Sequence, residues 1–271
     1  MTELAADLPA LLALERIDEN LFRAQNADLG GRPTLYGGQV AAQALMAAAA
    51  TVERDRVPHS FHGYFLRAGR PETPVVLHVE RDRDGRSFSA RRVVAVQNGK
   101  VIFSMLASFH AETDAPMYDA APHRPVDDRD DKPFTSWSTL LDVSEVTRTD
   151  LGAGRFTDCL WVRSTAPLGD DPLVHRAALA CISDLGSGFG QLAADGIGFG
   201  GPSIDHSMWF HEPVRADEWV LVDLVPVKAR SARGVYHGSL RDPAGALAAT
   251  VTQEMILLSR ERVVEDRPPR D

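Results

Sequence analysis

Two polar residues stand in otherwise apolar segments of this sequence. Asp184 follows the apolar residues 180–182 and precedes Leu185, and Gln253 falls within the apolar segment 247–258. A buried carboxylate or amide is costly unless it is hydrogen-bonded, so both positions suggest chemistry as well as packing. A carboxylate can accept a proton as a general base, and an amide offers both donors and an acceptor. The structural alternatives are an ordinary helix-end carboxylate and an amide that only holds its strand.

Ser203 lies near two further patterns that could signal chemistry. The glycine-rich stretch 196–201 lacks the preceding strand and following helix of a dinucleotide-binding fingerprint, and a turn that delivers Ser203 explains it better. Asp205-His206-Ser207 contains the residue types of a hydrolase triad. On a strand, however, His206 would point away from its two neighbours, so the sequence excludes a local triad. Asp205 is expected to tether its strand.

A similar block of sequence occurs twice, which predicts a duplicated domain. Each block begins near Ser-Ala-Arg, runs apolar to a glycine turn and runs apolar again, with a His-Ser aromatic stretch upstream. The blocks are 87–109 and 231–255, and the aromatic stretches are 59–69 and 206–214. Setting Gly99 on Gly245 places Ala107 opposite Gln253, so the first copy lacks the amide. This asymmetry predicts one site per chain, with its chemistry in the second copy and the first copy largely a scaffold.

In each copy, a mostly apolar helix precedes long strands. We expect these helices at 38–52 and 173–185, and a further short helix at 9–17. Expected strands are 75–81, 87–97, 101–110, 206–212, 219–229, 233–241 and 246–258. Asn98-Gly99 predicts a tight hairpin between two of them. A sheet that curls around each central helix would bury it most simply.

Composition and charge exclude several classes of function. The 271 residues carry a formal net charge of −9, with 44% hydrophobic and 25% charged residues. This is typical of a soluble globular protein and disfavours a general nucleic-acid surface. No apolar run approaches the roughly 20 residues of a membrane span, and the acidic N-terminus does not resemble a signal peptide.

Cys159 and Cys181 are expected to be buried, reduced thiols, and the aspartates within 127–131 are expected to form a solvated surface. The histidine pairs 59/62 and 206/211 lack the spacing of a metal site.

Six segments in this order resemble the type II acyl-CoA thioesterases, the double-hotdog enzymes of the TesB kind. They are YGGQVAAQAL at 36–45, HSFHGYFLRAG at 59–69, 82–103, IDHSMWFHEPVRADEW at 204–219, SARG at 231–234 and VTQE at 251–254. The resemblance implies an α+β double hotdog, two tandem domains that each wrap an antiparallel sheet around a central helix. The expected division is an N-terminal hotdog at 1–112, a linker at 113–135 and a C-terminal hotdog at 136–271 that carries the catalytic residues.

The resemblance also implies hydrolysis of fatty acyl-CoA. In this family an Asp near the end of the second central helix, a Ser or Thr before the DHSMWFH motif and a Gln in the last strand position a water. The matching residues here are Asp184, Ser203 and Gln253. Backbone N–H groups at Gly37-Gly38-Gln39 could stabilise the oxyanion. No cofactor or metal is implied. A non-catalytic acyl-CoA-binding protein is the alternative, and a dehydratase would need a His-containing pair that the matching positions lack.

The remaining expectations concern substrate contacts, assembly and location. The CoA phosphates could be clamped by Arg91, Arg92, Arg230 or Arg233, although ordinary surface arginines explain these residues equally well. Tyr36 and Tyr64 are expected to pack in the core, and either hydroxyl could instead reach the thioester. The expected partners are an acyl-CoA substrate and further copies of this chain in a homo-oligomer, a dimer or tetramer, without nucleic acid or a membrane span. The expected location is cytoplasmic.

Overall fold

One antiparallel sheet and three helices make up the part of the chain that the structure describes. This computed structural model describes residues 4–27, 29, 32–120, 135–136, 138–145, 158–189 and 199–258. Within them, the sheet has 14 strands. The acidic group at 127–131 and the glycine-rich residues 196–198 lie outside the described residues, as does most of the predicted linker. The division at 113–135 therefore stays a prediction.

The first copy contains a short helix, a long central helix and six strands. Their bounds are α1 (Leu8–Leu12), β1 (Glu15–Asp18), β2 (Leu21–Ala24), α2 (Gly37–Ala49), β3 (Arg56–Phe65), β4 (Val75–Asp84), β5 (Phe88–Gln97) and β6 (Lys100–Ala111). The strands are ordered β1-β2-β4-β5-β6-β3. Between β5 and β6, Asn98 and Gly99 adopt φ of 48° and 72°. These left-handed values are those of a tight hairpin turn, which confirms the hairpin predicted from Asn-Gly.

The second copy repeats this plan with one central helix and eight strands. Their bounds are β7 (Thr135–Ser136), β8 (Leu141–Glu145), β9 (Asp158–Ser164), α3 (Pro172–Ile182), β10 (Phe199–Ser203), β11 (Asp205–Phe210), β12 (Val220–Arg230), β13 (Arg233–Arg241) and β14 (Leu247–Leu258). The order continues β11-β14-β13-β12-β9-β8-β7, and the short β10 also pairs with β14. Strands β3 and β11 pair with each other, from Ser60–Trp209 to Tyr64–Asp205, and so join the copies into one sheet.

The two central helices lie side by side inside the curled sheet. Helix α2 packs on α3 and on strands β3 to β6. Ten of its residues are buried, and six of these are small (Gly38, Ala41, Ala42, Ala44, Ala47 and Ala48). Alanine favours the helix and adds little bulk, so the neighbouring elements can approach closely. Helix α3 begins at Pro172 after Asp171, whose side chain accepts the Leu173 N–H at 2.9 Å, which confirms the predicted cap.

Both long helices end earlier than the sequence predicts. Helix α2 stops at Ala49 instead of 52, because the Thr51 hydroxyl donates to Ala48 O at 2.8 Å and closes the last turn. Helix α3 stops at Ile182 instead of 185, where the Leu185 N–H turns back to Ile182 O and Gly186 adopts φ of 85°. The left-handed glycine favours termination.

The sequence prediction also missed several strands and misplaced the first helix. Helix α1 covers only Leu8–Leu12, and residues predicted to continue it form β1 instead, because Ala13 is already extended at ψ of 107°. Strand β3 was recognised only as an aromatic stretch. Strands β1, β2 and β7 to β10 are short or irregular, so their apolar alternation is weak.

Candidate active site

Asp184, Ser203 and Gln253 meet in one hydrogen-bonded group, which we call the polar cluster. The Gln253 Nε2 amide donates to Asp184 Oδ1 at 2.8 Å and to Ser203 Oγ at 2.5 Å. The Ser203 hydroxyl donates to the same carboxylate oxygen at 2.9 Å. The structure thus brings together all three residues that the sequence singled out.

Three separate elements position the polar cluster. Asp184 is the second residue after the end of α3, Ser203 ends β10, and Gln253 lies in the middle of β14. Strand β10 pairs with β14 and shifts register before Ser203, which faces Met255. Asp184 is 9% exposed and Gln253 1% exposed. A carboxylate this deeply buried is stable only with donors, and the two donors to Oδ1 supply them.

The second carboxylate oxygen, Asp184 Oδ2, lies beside the first turn of α2. A methyl group built on Gly37 would stand 2.6 Å from Oδ2, and one on Gly38 would stand 2.3 Å from Cys181 O. Only glycine therefore allows this close approach of α2 to the end of α3. Tyr36, the residue before α2, makes no side-chain cap. The first N–H groups of a helix lack intrahelical partners and carry partial positive charge, so the helix presents donors beside Oδ2.

A cavity of about 850 Å³ opens at this point and is lined by both copies. The first copy supplies Tyr36, Gly37, Val40, Phe65, Leu66, Arg67 and Ile102, among others, and the second supplies Asp184, Ser203, Met255 and Ile256. The walls thus combine apolar side chains with polar groups, among them the carboxylate, the hydroxyl and the start of α2. The expectation that the first copy is largely a scaffold is incomplete, because that copy also forms much of the cavity wall.

Two arginines that the sequence reading overlooked line the same cavity. Arg32 and Arg67 are both in its wall, and the Arg67 guanidinium is held by a 2.7 Å hydrogen bond to Val101 O. Among the described residues that line the cavity, Asp184 is the only carboxylate. This part of an acidic protein is therefore suited to an anionic ligand.

The four arginines proposed as phosphate clamps do not line the cavity. Arg91 is 1% exposed and is held by Thr51 and Asp84, so its role is structural. Arg92 pairs with Asp82 and Glu80 on the exposed face. Arg233 pairs with Glu254 and Arg230 is exposed. Arg91 and Arg92 are consecutive on β5 and point to opposite faces, Arg91 into the core and Arg92 to the exposed face, and none of the four arginines is in the cavity wall.

The two tyrosines have different environments. Tyr36 is buried, and its hydroxyl donates to Cys181 O at 2.7 Å. Burial, reinforced by the charge of Asp184, raises the pKa of Tyr36 well above its usual value, so the hydroxyl stays protonated. Core packing is confirmed for Tyr36 and wrong for Tyr64, which is 57% exposed because β3 turns it to the outer face.

The residues next to the polar cluster confirm that no local Asp-His-Ser triad forms. Asp205 Oδ1 accepts the Glu254 N–H at 2.7 Å and tethers β11 to β14 as expected. His206 points inward and is completely buried. Its Nε2 lies 2.8 Å from Ser183 Oγ, and its Nδ1 is hydrogen-bonded to Gln253 Oε1. The sequence reading missed this contact because it considered only side chains on the same strand.

The corresponding position in the first copy holds no polar cluster. Ala107 faces Arg91, the fourth residue of β5, just as Gln253 faces Tyr236, the fourth residue of β13. The strand registers thus agree with the alignment of Ala107 on Gln253. Thr51 takes the place of Asp184, since each is the second residue after its helix.

The Ser-Ala-Arg pattern proves less informative than the strand registers. The Ser-Ala-Arg match between the copies is wrong, because Ser89-Ala90 lie within β5, whereas Ser231 and Ala232 form a left-handed turn with φ of 53° and 58°. Cys159 and Cys181 are both buried, and neither forms a disulfide within the described residues, in agreement with the prediction.

Across the part of the chain that is described, side chains of His, Cys, Asp and Glu form no group able to hold a metal ion. In the same residues, no helix has the length and apolar character required to cross a membrane. Homo-oligomer formation and a cytoplasmic location stay predictions.

Comparison with known proteins places both copies in one family. Residues 26–110 match the model of the acyl-CoA thioesterase N-terminal domain, and residues 118–257 match that of the C-terminal domain. Mouse acyl-coenzyme A thioesterase 8 is 35% identical, with 98% of this chain and 94% of the mouse protein covered. Acyl-CoA thioesterase 2 of Haemophilus influenzae is 31% identical, with 95% and 99% covered.

Solved structures agree with these sequence matches. The acyl-CoA thioesterase II TesB2 of Mycobacterium marinum is 37% identical with a TM-score of 0.82, covering 94% of this chain and 99% of that one. A hotdog-fold protein of Alicyclobacillus acidocaldarius, at 20% identity and a TM-score of 0.78, covers 93% and 98% and supports the fold alone. The α+β double-hotdog fold is confirmed. The chain therefore belongs to the type II acyl-CoA thioesterase family.

Proposed function

We propose that this chain hydrolyses fatty acyl-CoA thioesters by direct attack of a water molecule held at the polar cluster. The observation that carries the proposal is the placement of Asp184. Its Oδ1 receives hydrogen bonds from Gln253 and Ser203, while within the described residues Oδ2 accepts none and lies at the cavity beside Gly37. One oxygen is thus fixed and the other is left to bind water.

The reaction needs few groups because a thioester is already an activated acyl donor. A water bound at Asp184 Oδ2 attacks the thioester carbonyl carbon and gives its proton to the carboxylate. The tetrahedral intermediate then expels the CoA sulfur, which takes up the proton from Asp184. The products are a free carboxylic acid and the CoA thiol, and no covalent acyl-enzyme is required. Ser203 and Gln253 hold the carboxylate, and Ser203, which lines the cavity, keeps a free lone pair that can accept a hydrogen bond from the water.

The start of α2 is suited to stabilise the oxyanion. Negative charge develops on the carbonyl oxygen during attack, and backbone N–H groups that are already fixed stabilise it without reorganisation. Gly37 and Gly38 bring the helix start to the carboxylate side of the cavity. The carbonyl would therefore lie in the cavity next to the start of α2, with its oxygen toward the first N–H groups and the attacking water at Asp184 Oδ2.

The rest of the cavity offers binding surfaces for the two ends of the substrate, the acyl chain and the CoA phosphates. Phe65, Leu66, Ile102 and Met255 offer an apolar surface for an acyl chain. Phosphate groups are bound well by guanidinium groups, and we assign Arg32 and Arg67 to the phosphates of CoA.

The non-catalytic binding protein stays the alternative, and the polar cluster argues against it. A protein that only binds acyl-CoA has no need to bury a carboxylate beside a helix start. A dehydratase is disfavoured because His206, the histidine in contact with the polar cluster, lies behind Gln253 and does not line the cavity.

The proposal is tested by the release of free thiol from acyl-CoA of several chain lengths. Wild-type protein should release CoA, and Asp184→Asn should lower kcat by about 10²- to 10⁴-fold, the usual contribution of a general base. Asp170→Asn is the matched control, because the Asp170 side chain is 97% exposed. Absence of thiol release at every chain length would favour the binding protein. Full activity of Asp184→Asn would contradict the assigned base.

A further inference from the structure

We propose that His206 is a positioning residue that orients the Gln253 amide toward Asp184. The inference rests on the proposed function, because it explains how one member of the polar cluster is kept in its working orientation. His206 and Ser183 form with Gln253 a chain of hydrogen bonds that ends on Asp184. Neither His206 nor Ser183 lines the cavity, so both would act through Gln253.

The direction of every bond in this chain follows from the carboxylate. An ionised carboxylate only accepts hydrogen bonds, so Gln253 must present its Nε2 amide to Asp184 and its Oε1 to the other side. Oε1 then faces His206 Nδ1, which must donate. If the amide were reversed, its oxygen would face the carboxylate oxygen, and Ser203 would lose the donor that now lies 2.5 Å from its hydroxyl.

Ser183 completes the chain by fixing the tautomer of His206. Burial, opposed by the charges of Asp184 and Asp205, lowers the pKa of His206, so the ring is neutral and has a single N–H. With that N–H on Nδ1, Nε2 must accept, and the Ser183 hydroxyl at 2.8 Å is its donor. The Ser183 hydroxyl is also placed to donate to Ala180 O, at 3.0 Å. The hydroxyl has only one proton. We assign it to His206 Nε2, because Asp184 requires the Gln253 amide group, Gln253 Oε1 then requires the N–H on Nδ1, and Nε2 is left as an acceptor.

The first copy shows that the fold does not require this chain. Ala50 follows the last residue of α2 as Ser183 follows that of α3. Phe61 faces Ala107 across β3 and β6, as His206 faces Gln253 across β11 and β14. Each polar member of the chain thus has an apolar counterpart, Ala50 for Ser183, Phe61 for His206 and Ala107 for Gln253. The polar chain is present only in the copy that holds Asp184.

The same comparison supplies the test variants. His206→Phe copies the residue at the equivalent position, so it removes the N–H with little change in shape. We expect kcat for acyl-CoA to fall about 10- to 100-fold with KM nearly unchanged, the scale of a misplaced group next to the chemistry. His206→Asn keeps an N–H donor near the place of Nδ1 and should restore kcat to within about threefold of wild type. Ser183→Ala should give a smaller loss of kcat. It tests the contribution of the hydrogen-bond chain while the imidazole ring of His206 is kept.

A double variant separates positioning from a general effect on the fold. In a Gln253→Ala background, His206→Phe should lower kcat no further, because the amide it orients is gone. An equal loss of kcat in both backgrounds would overturn the inference, as would a His206→Phe enzyme with wild-type kcat while Asp184→Asn is inactive. Full activity of Asp184→Asn would instead overturn the proposed function. Thermal melting of each variant identifies any that are unfolded, and Ser183→Ala then carries the test.

Discussion

Asp184 Oδ2 and the Cα of Gly37 face each other at the border between the two copies, with space for a hydrogen atom and not for a methyl group. Gly37 opens the central helix of the first copy, and Asp184 follows the central helix of the second. The proposed base and the proposed oxyanion donors therefore come from different halves of the chain.

Gly37→Ala should block the reaction with less effect on binding. The new methyl group would stand 2.6 Å from Asp184 Oδ2 and 2.9 Å from the Phe65 ring, so it would push the carboxylate and the ring away from the start of α2. We expect kcat to fall at least about 100-fold, as for a displaced reacting group. Thiol release measures it. Gly99→Asn is the control, since a methyl group at Gly99 meets no atom within 4 Å and Asn tolerates its left-handed φ. Wild-type turnover by Gly37→Ala would place the chemistry elsewhere.

Ser203 should tolerate threonine and not alanine. Ser203→Ala removes the donor to Asp184 and the acceptor of the Gln253 amide, so kcat should fall about 10- to 100-fold. Ser203→Thr keeps the hydroxyl and should stay within about fivefold of wild type, because the side chain is only partly buried and lines the cavity. Steady-state kinetics on one acyl-CoA distinguish the two. Equal activities of the alanine and threonine variants would remove Ser203 from the mechanism.

Arg67→Glu should weaken the binding of CoA itself. We expect KM for acyl-CoA to rise at least about tenfold, since each charged contact to phosphate contributes on the order of 1.5–3 kcal/mol, while kcat changes little. An acyl-N-acetylcysteamine thioester has no phosphates, and its KM should stay the same. Arg92→Ala, which lies outside the cavity, is the control for surface charge. A rise in KM for both substrates would argue against phosphate binding at Arg67.

Two neighbouring arginines should differ in their contribution to stability. Arg91 is 1% exposed and donates to Thr51 Oγ1, Thr51 O and Arg83 O. Arg91→Met leaves these buried acceptors unpaired, and we expect it to lower the free energy of unfolding by about 2–4 kcal/mol. Arg92→Ala on the exposed face should leave the denaturation midpoint nearly unchanged. Urea denaturation compares the two, and equal midpoints would contradict a structural role for Arg91.

His206 should make stability depend on pH. Burial lowers its pKa in the folded protein, whereas in the unfolded chain it has the ordinary value of about 6.5. Below about pH 6.5 the unfolded state binds the proton first, so stability falls as pH falls toward the folded pKa, by at most about 1.4 kcal/mol per pH unit. His206→Asn should remove this part of the slope. Denaturation at a series of pH values measures it, and identical slopes would show that His206 takes up a proton without cost.

The sequence could predict those parts of the site whose residue types contrast with their neighbours. Asp184 and Gln253 stand out from apolar segments, and the motif resemblance added Ser203. The sequence could not show that Gly37 would contact Asp184, since that contact depends on how the two copies join through β3 and β11. His206 was missed for a related reason, because its partner is 47 residues away on another strand.

The fold was predicted where apolar patterns are long. Strands β5, β6, β13 and β14 and both central helices were found with end errors of a few residues, because each has a clear pattern of buried positions. The short strands β1 and β2, of four residues each, were not predicted, because their pairing with neighbouring strands decides them more than their own residues do. Arg32 and Arg67 were overlooked because residues that line a cavity do not recur with the period of a helix or a strand.

The shared sheet has a consequence for how such a chain can change over generations. Because β3 and β11 join the copies and the cavity draws its walls from both, neither half can diverge independently of the other. Substitutions at Phe65 or Ile102 would alter substrate fit without touching the polar cluster, and substitutions near Asp184 would alter turnover without reshaping most of the wall. The effect of a substitution in one half therefore depends on the residues that the other half contributes to the same cavity.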